Sequence, residues 1–285
     1  MSLADKLENI LDQRPDQITS LSGGCVGDVF EIHLPDGRTL VAKTGDPDSG
    51  LDIEGRSIRY LSAHTNLPVP HLHHSSDTLL VMDFVANDKQ LNGRAQHHAA
   101  EVLADLHAHT GPNLKGFGFA FDTVIGGLPQ PNPWTVGWID FFRDQRLMYM
   151  AHLAAQSGQL NPSILGRLEK FCGHLDRWLR EPTHASLIHG DMWGGNVLSY
   201  RSQITAFIDP AIYFADPEIE LAFSTLFNTF NDDFFQRYTE LRPINPGFFE
   251  QRKDIYNLYP LLVHVRLFGG SYLASVDATL RKFGF

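Results

Sequence analysis

One stretch of this chain has the residue types and spacing to move a phosphoryl group. Leu187-Ile188-His189-Gly190-Asp191-Met192-Trp193-Gly194-Gly195-Asn196-Val197-Leu198 reads as a glycine-bearing turn between two apolar runs. A carboxylate at Asp191 can accept the proton of a hydroxyl. The amide oxygen of Asn196, five residues on, can ligate a hard cation. Downstream, Ile204-Thr205-Ala206-Phe207-Ile208 is an apolar strand that delivers Asp209 just before Pro210. Asp209 is then a second oxygen ligand of the kind Mg²⁺ takes. Base, amide ligand and metal carboxylate, in that order, form a phosphoryl-transfer set. Each residue alone reads better as a turn or cap residue, so the order and the flanking strands carry the meaning.

A second constellation precedes it. Lys43 ends the strand-like Val41-Ala42-Lys43, and Glu54 follows eleven residues later. A helix expected over 51–63 has an apolar stripe of Leu51, Ile58 and Leu61, and Glu54 falls on that stripe. A carboxylate there is costly unless paired, and Lys43 is its natural partner. Such a pair can hold the α and β phosphates of a nucleotide. The bend Gly23-Gly24-Cys25-Val26-Gly27 would close over the triphosphate with its backbone amides, although it lacks the full Gly-x-Gly-x-x-Gly pattern. Backbone groups around Asp83 and Val85, at the end of the apolar run 78–85, would face an adenine. Trp134 and Trp193 offer aromatic faces to an acceptor. Cys25, in the bend and near Lys43, is a candidate redox-sensitive thiol. Cys172 reads as buried and inert.

These residues need elements to hold them. Pro35-Asp36-Gly37-Arg38 between β-rich runs is a hairpin signal. With the strand at 78–85 it makes the first 86 residues mostly sheet with one main helix. From about 93 onward helical patterns dominate: 93–109, 135–157, 162–179, 216–229 and 247–282 in pieces. Residues 110–134 are aperiodic and rich in Gly, Pro and Asn, and a β-like island lies at 187–209. The expected organisation is an α+β chain with a β-rich lobe over 1–86 and a larger, mainly helical lobe over 87–285. The seven histidines at 71, 73, 74, 97, 98, 107 and 109 have no Cys at ligand spacing and read as ordinary side chains, not a zinc site.

Composition narrows the field. Among 285 residues, 43% are apolar and 20% charged, a globular mix. A net charge of −10 argues against nucleic acid as partner and suits a cationic or metal-complexed ligand. Two cysteines make no disulfide framework. No apolar run approaches the ~18 residues of a membrane span. With no secretory signal visible, a soluble cytoplasmic protein is expected.

The pattern resembles the protein-kinase-like fold in its aminoglycoside-phosphotransferase branch. His189-Gly190-Asp191 stands where protein kinases carry His-Arg-Asp, and Asp209-Pro210 replaces Asp-Phe-Gly. Within that branch, residues 20–280 resemble the fructosamine kinase (ketosamine-3-kinase) family. The likeness is carried by His189–Asn196, Ile208-Asp209-Pro210-Ala211-Ile212-Tyr213, the loop Asp122–Trp134 with its Pro-Gln-Pro-Asn-Pro-Trp, and Leu267-Phe268-Gly269-Gly270-Ser271-Tyr272. Met192 stands where the family usually has Leu, and Glu220 where Asp is common.

The resemblance implies a two-lobe kinase using ATP and Mg²⁺ to phosphorylate the 3-hydroxyl of a ketosamine. Asp191 would be the base, Asn196 and Asp209 the metal ligands, and Lys43 and Glu54 the phosphate-positioning pair. The product would lose phosphate by elimination and free the amine, so the enzyme would act in deglycation. The acceptor would be a free or protein-bound fructosamine or ribulosamine, and the chain is expected as a monomer or weak dimer with no membrane or nucleic-acid partner. A different hydroxyl acceptor, of aminoglycoside or choline-kinase type, is the alternative. A nucleotide-binding pseudokinase is the rival of another class.

Overall fold

The computed structural model describes residues 2–21, 27–111 and 116–285. They form two compact units. One is the chain up to Ala95 together with Asn196–Pro210. The other is Gln96–Gly195 together with Ala211–Phe285.

The first unit is built on a five-stranded antiparallel sheet. Its order is β1 (Gln17–Leu21), β2 (Asp28–His33), β3 (Thr39–Thr44), β5 (Leu79–Asp83) and β4 (Leu72–Ser75). The expected turn joins β2 to β3. There the Leu34 N–H donates to the Arg38 carbonyl, and Gly37 takes a φ of 86° that a side chain would resist. The period of two sorts the central strands. Leu40, Ala42, Leu79 and Val81 bury one face with Leu7 of α1 (Leu3–Leu11). Leu80 and Met82 bury the other against Leu51 and Ile58 of α2 (Leu51–His64). Lys43 lies directly across from Leu80, so it projects on the α2 face.

The β9 (Val197–Tyr200) and β10 (Gln203–Phe207) hairpin also belongs to this unit. Phe207 N–H donates to the Pro68 carbonyl at 2.8 Å, and Asp88 N–H to the Ser199 carbonyl at 2.8 Å. The Thr205 hydroxyl caps the Ala86 carbonyl at 3.0 Å. A sequence boundary at 86/87 therefore differs from these units by residues 87–95 and by the hairpin. Bonds between segments so distant in sequence leave no trace in local composition.

The second unit is mainly helical. It contains α3 (Gly93–Ala108) from Gln96 onward, α6 (Pro162–Cys172), α7 (Glu218–Leu226), α8 (Asp232–Leu241), α9 (Lys253–Phe268) and α10 (Gly270–Lys282). Strand β8 (Ser186–Ile188) pairs antiparallel with β11 (Tyr213–Ala215). Four local readings differ from the sequence expectation. The aperiodic loop holds a short hairpin, β6 (Thr123–Ile125) and β7 (Leu128–Gln130), whose three-residue strands are too short to show alternation. The expected helix 135–157 is α4 (Trp138–Phe141), a π-helical stretch Phe142–Met148 and α5 (Tyr149–Gln156). The one expected over 162–179 ends at Cys172, beside Gly173. Helix α8 was not expected from the sequence; Asn231 caps it and Phe234, Phe235 and Tyr238 bury its inner face.

Among the described residues no helix is long and apolar enough to cross a membrane. Cys172 is buried in α6, and burial pushes its thiol up to about 12.

Helix α7 starts in a buried charged knot. Asp216 accepts from the Glu218 N–H at 3.0 Å and from the Tyr256 hydroxyl at 2.8 Å. Glu218 receives a forked pair from Arg252 at 2.6 and 2.7 Å. Burial, and then the like charge of Glu218, push the Asp216 carboxyl up to about 7. A carboxyl raised on folding lends stability that is fully present below its unfolded pKa and is lost as pH rises through its folded one. Urea midpoints should therefore fall between about pH 5 and pH 8, with this group contributing about 2 kcal/mol. Asp216→Asn should flatten that slope; an unchanged slope in the variant would contradict the reading.

Candidate active site

In the first unit, β3 and α2 bring Lys43 and Glu54 together, as their spacing suggested. Lys43 is only 7% exposed. Its Nζ lies 2.7 Å from Glu54 Oε1 and also contacts Asp209 Oδ1. Burial alone would lower the Lys43 pKa, but the Glu54 and Asp209 charges outweigh it and hold it above its ordinary value. Burial pushes Glu54 up, Lys43 pulls it back, and the like charge of Asp209 adds to the rise. When both carboxylates are ionised, one ammonium between them leaves a net negative charge, which favours a further cation.

Hairpin β9–β10 sets the metal-type ligands. Val197 pairs with Phe207, so Asn196 and Ile208 are neighbours at its root, and the Ile208 N–H donates to the Asn196 carbonyl at 3.1 Å. Asp209 follows at once. Asn196 is 2% exposed. Asp209 holds a left-handed φ of 56°, a conformation that costs L residues energy and clusters at functional sites. Two residues with oxygen-bearing side chains thus stand at one hairpin root, and an amide and a carboxylate are ligand types that Mg²⁺ takes.

The other nucleotide candidates divide. Asp83 spends its N–H on the His71 carbonyl at 2.9 Å and its carboxylate on His73 at 2.7 Å. Val85 lies beyond β5, and its backbone makes no hydrogen bond among the described residues. Gly23, Gly24 and Cys25 lie outside the described residues.

In the second unit, a chain of buried polar contacts fixes the His-Gly-Asp turn. Gly190 has a φ of 87°, and a Cβ there would stand 2.1 Å from the Ala211 carbonyl oxygen, so only glycine fits. Its N–H donates to Glu220 Oε1 at 2.7 Å. Glu220 Oε2 meets His107 Nε2 at 2.8 Å, and His107 Nδ1 meets the Tyr238 hydroxyl at 2.6 Å. Burial pushes Glu220 up, but the His107 hydrogen bond and charge, with His189 and the Gly190 N–H, bring it below its ordinary value. The loop carrying Trp134 is tied to the same place. Gln130 donates to the Ala211 carbonyl at 3.0 Å and accepts from the Tyr259 hydroxyl at 2.6 Å. Ala211 N–H in turn donates to the His189 carbonyl at 2.8 Å. Arg146, fully buried, donates to Asn132 Oδ1 at 2.6 Å and the Pro131 carbonyl at 2.7 Å, with its guanidinium 3.8 Å above the Tyr213 ring.

Trp134 stacks on Phe214 and is half-buried. Trp193 is 38% exposed, its N–H on the Asp191 carbonyl at 3.2 Å and its ring folded over Gly195. Sequence reasoning missed Glu220, His107, Tyr238, Gln130 and Arg146 as supports. One signal was available: Glu220 interrupts the apolar Ile219-Leu221-Ala222, and a carboxylate in an apolar run requires a partner. Gly190→Ala should cost about 3 kcal/mol in urea unfolding and at least a hundredfold in turnover. A variant as stable and active as the unaltered chain would contradict this geometry.

Comparison with known proteins fits this arrangement. The chain is 32% identical over 273 residues to a probable ketoamine kinase of Synechocystis sp., covering 92% of this chain and 88% of that one. A crystal structure described as a candidate fructosamine-3-kinase from Thermobifida fusca superposes with a TM-score of 0.88 at 28% identity, covering 98% of this chain and 97% of that one. A thermostable mutant of the aminoglycoside phosphotransferase APH(4)-Ia superposes with a TM-score of 0.71 at 19% identity over 99% of both chains, a likeness of fold. The fold is the expected α+β, protein-kinase-like one. The sequence profile of the fructosamine kinase family matches residues 2–283, and the chain belongs to that family.

Proposed function

We propose that this chain uses ATP and Mg²⁺ to phosphorylate the 3-hydroxyl of a ketosamine, a fructosamine or ribulosamine adduct of an amine, and so acts in deglycation. The chain is a phosphotransferase with a hydroxyl acceptor, of the ketosamine kinase kind. The observation that supports the ATP and Mg²⁺ part of this reading is the Lys43–Glu54–Asp209 cluster with Asn196 at the adjoining hairpin root.

Each residue has a stated task. Asp191 accepts the proton of the attacking hydroxyl and orients its oxygen. Lys43, kept charged by its two carboxylates, turns its ammonium to the α and β phosphates when they arrive. Glu54 holds that ammonium in place. Asn196 and Asp209 would hold Mg²⁺, which supplies neutralisation of phosphate charge when bound. Glu220 and His107 act through the Gly190 N–H to keep Asp191 in position. Val85 offers backbone groups to the adenine, while Asp83 serves through its place in β5. Trp134 and Trp193 shape the acceptor site.

The deciding experiment is an acceptor panel. ADP release should depend on a ribulosamine or a fructosamine and be absent with kanamycin. Turnover of kanamycin alone would favour the aminoglycoside reading, and tight ATP binding without any acceptor-dependent release the pseudokinase. Asp191→Asn should lose at least a thousandfold in kcat while its ATP affinity stays within about threefold. Near-normal turnover in that variant would remove Asp191 from its role. Lys43→Met should instead raise the KM for ATP, and an unchanged ATP KM would contradict the phosphate-positioning assignment.

A further inference from the structure

The C-terminal motif Leu267-Phe268-Gly269-Gly270-Ser271-Tyr272 has no task in the phosphoryl-transfer set, yet its rings meet those of the catalytic turn. Trp193 lies edge-on to Phe227 at 6.5 Å between centroids. Phe227 lies 5.0 Å from His264, which lies 5.6 Å from Phe268 and 4.8 Å from Tyr272. All five belong to the second unit. Trp193, Phe227 and Phe268 keep 38%, 37% and 60% of their surface open, so this is not a closed core cluster. The turn of the β6–β7 hairpin abuts it, since a Cβ on Gly126 would stand 2.8 Å from Leu267.

His264 gives the cluster a polar floor of defined sign. Its Nδ1 lies 2.7 Å from the Pro260 carbonyl, and a carbonyl only accepts, so Nδ1 carries the proton. Nε2 is left as an acceptor and makes no other hydrogen bond among the described residues. Burial pushes the ring below its ordinary pKa, so it is neutral near pH 7. An acceptor nitrogen ringed by aromatic faces attracts a cation with attached methylenes and offers nothing to an anion. The cluster begins two residues after Asp191, and the chain carries a net charge of −10.

We propose that Trp193, Phe227, His264, Phe268 and Tyr272 form the subsite for the ammonium of the ketosamine and the methylenes beside it. This deepens the functional reading above and rests on it. The subsite selects ketoses that bear a protonated alkylamine, such as the lysine adduct, over ketoses without one. Recognition is by ring faces and the His264 lone pair, with no ion pair required.

The test uses the full chain with ATP and fructosyl-lysine. Phe227→Leu and His264→Gln should each raise the KM for fructosyl-lysine about tenfold, with the ATP KM moving less than twofold. His264→Lys, which puts a cation where one should bind, should raise it further. Phe249→Leu, an exposed ring outside the cluster, should change neither constant. Because a variant can fail by misfolding, the unaltered chain supplies a second readout. Butylammonium chloride should inhibit competitively against fructosyl-lysine and not against ATP, and butanol at equal concentration should not. Unchanged KM in the Phe227 and His264 variants, or equal effects of butylammonium and butanol, would overturn the subsite while leaving the kinase assignment standing. No turnover of any ketosamine by the unaltered chain would instead overturn the functional reading, and this inference with it.

Discussion

A lysine ammonium held almost out of water, at Lys43, is the constraint around which the first unit is organised. Removing that charge from solvent is tolerable only with carboxylates in contact, and Glu54 and Asp209 supply them. The contacts join strand β3, helix α2 and the end of hairpin β9–β10, segments separated by 11 and 166 residues. Removing Lys43 or Glu54, both largely buried, costs about 3–5 kcal/mol, so the pair helps to hold the fold. When both are ionised, the two carboxylates outnumber the one ammonium, which favours a further cation.

The second unit solves a different problem, that of holding a strained turn still. Gly190 lies against the Ala211 carbonyl, where a side chain cannot go, and its N–H is fixed by a buried carboxylate. Glu220 is in turn held by His107, and His107 by Tyr238, so a dry polar chain ends at the residue before Asp191. Gln130 ties the Pro-Gln-Pro-Asn-Pro-Trp loop to Ala211, whose N–H bonds the His189 carbonyl. Pre-organisation of this kind spends binding energy in advance, during folding, instead of during turnover.

Much of this was legible in the sequence where a residue type conflicted with its surroundings. A glutamate on the apolar stripe of α2 demanded a cation, and Lys43 was the right one. The Pro-Asp-Gly turn and the strand at 78–85 emerged because hairpin and strand signals are local. Other features were illegible for physical reasons. The β9–β10 hairpin joins the first unit by backbone bonds to Pro68 and Asp88, which depend on no side-chain pattern. The strands of β6–β7 are shorter than a period, and the π-helical stretch after α4 keeps a helical spacing of apolar residues. His107 looked like an ordinary histidine because its two partners are 113 and 131 residues away. Glu220 was visible as a carboxylate within the apolar Ile219-Leu221-Ala222, but its partners Gly190 and His107 were not.

The central claim is that these residues carry a phosphoryl group to one hydroxyl of a ketosamine. Phosphorus–proton correlation NMR of the product formed from fructosyl-lysine and ATP tests it most directly. The account predicts a single phosphate ester coupled to the proton on C3. An ester on another carbon, a phosphorylated amine, or inorganic phosphate formed at the same rate without acceptor would contradict it.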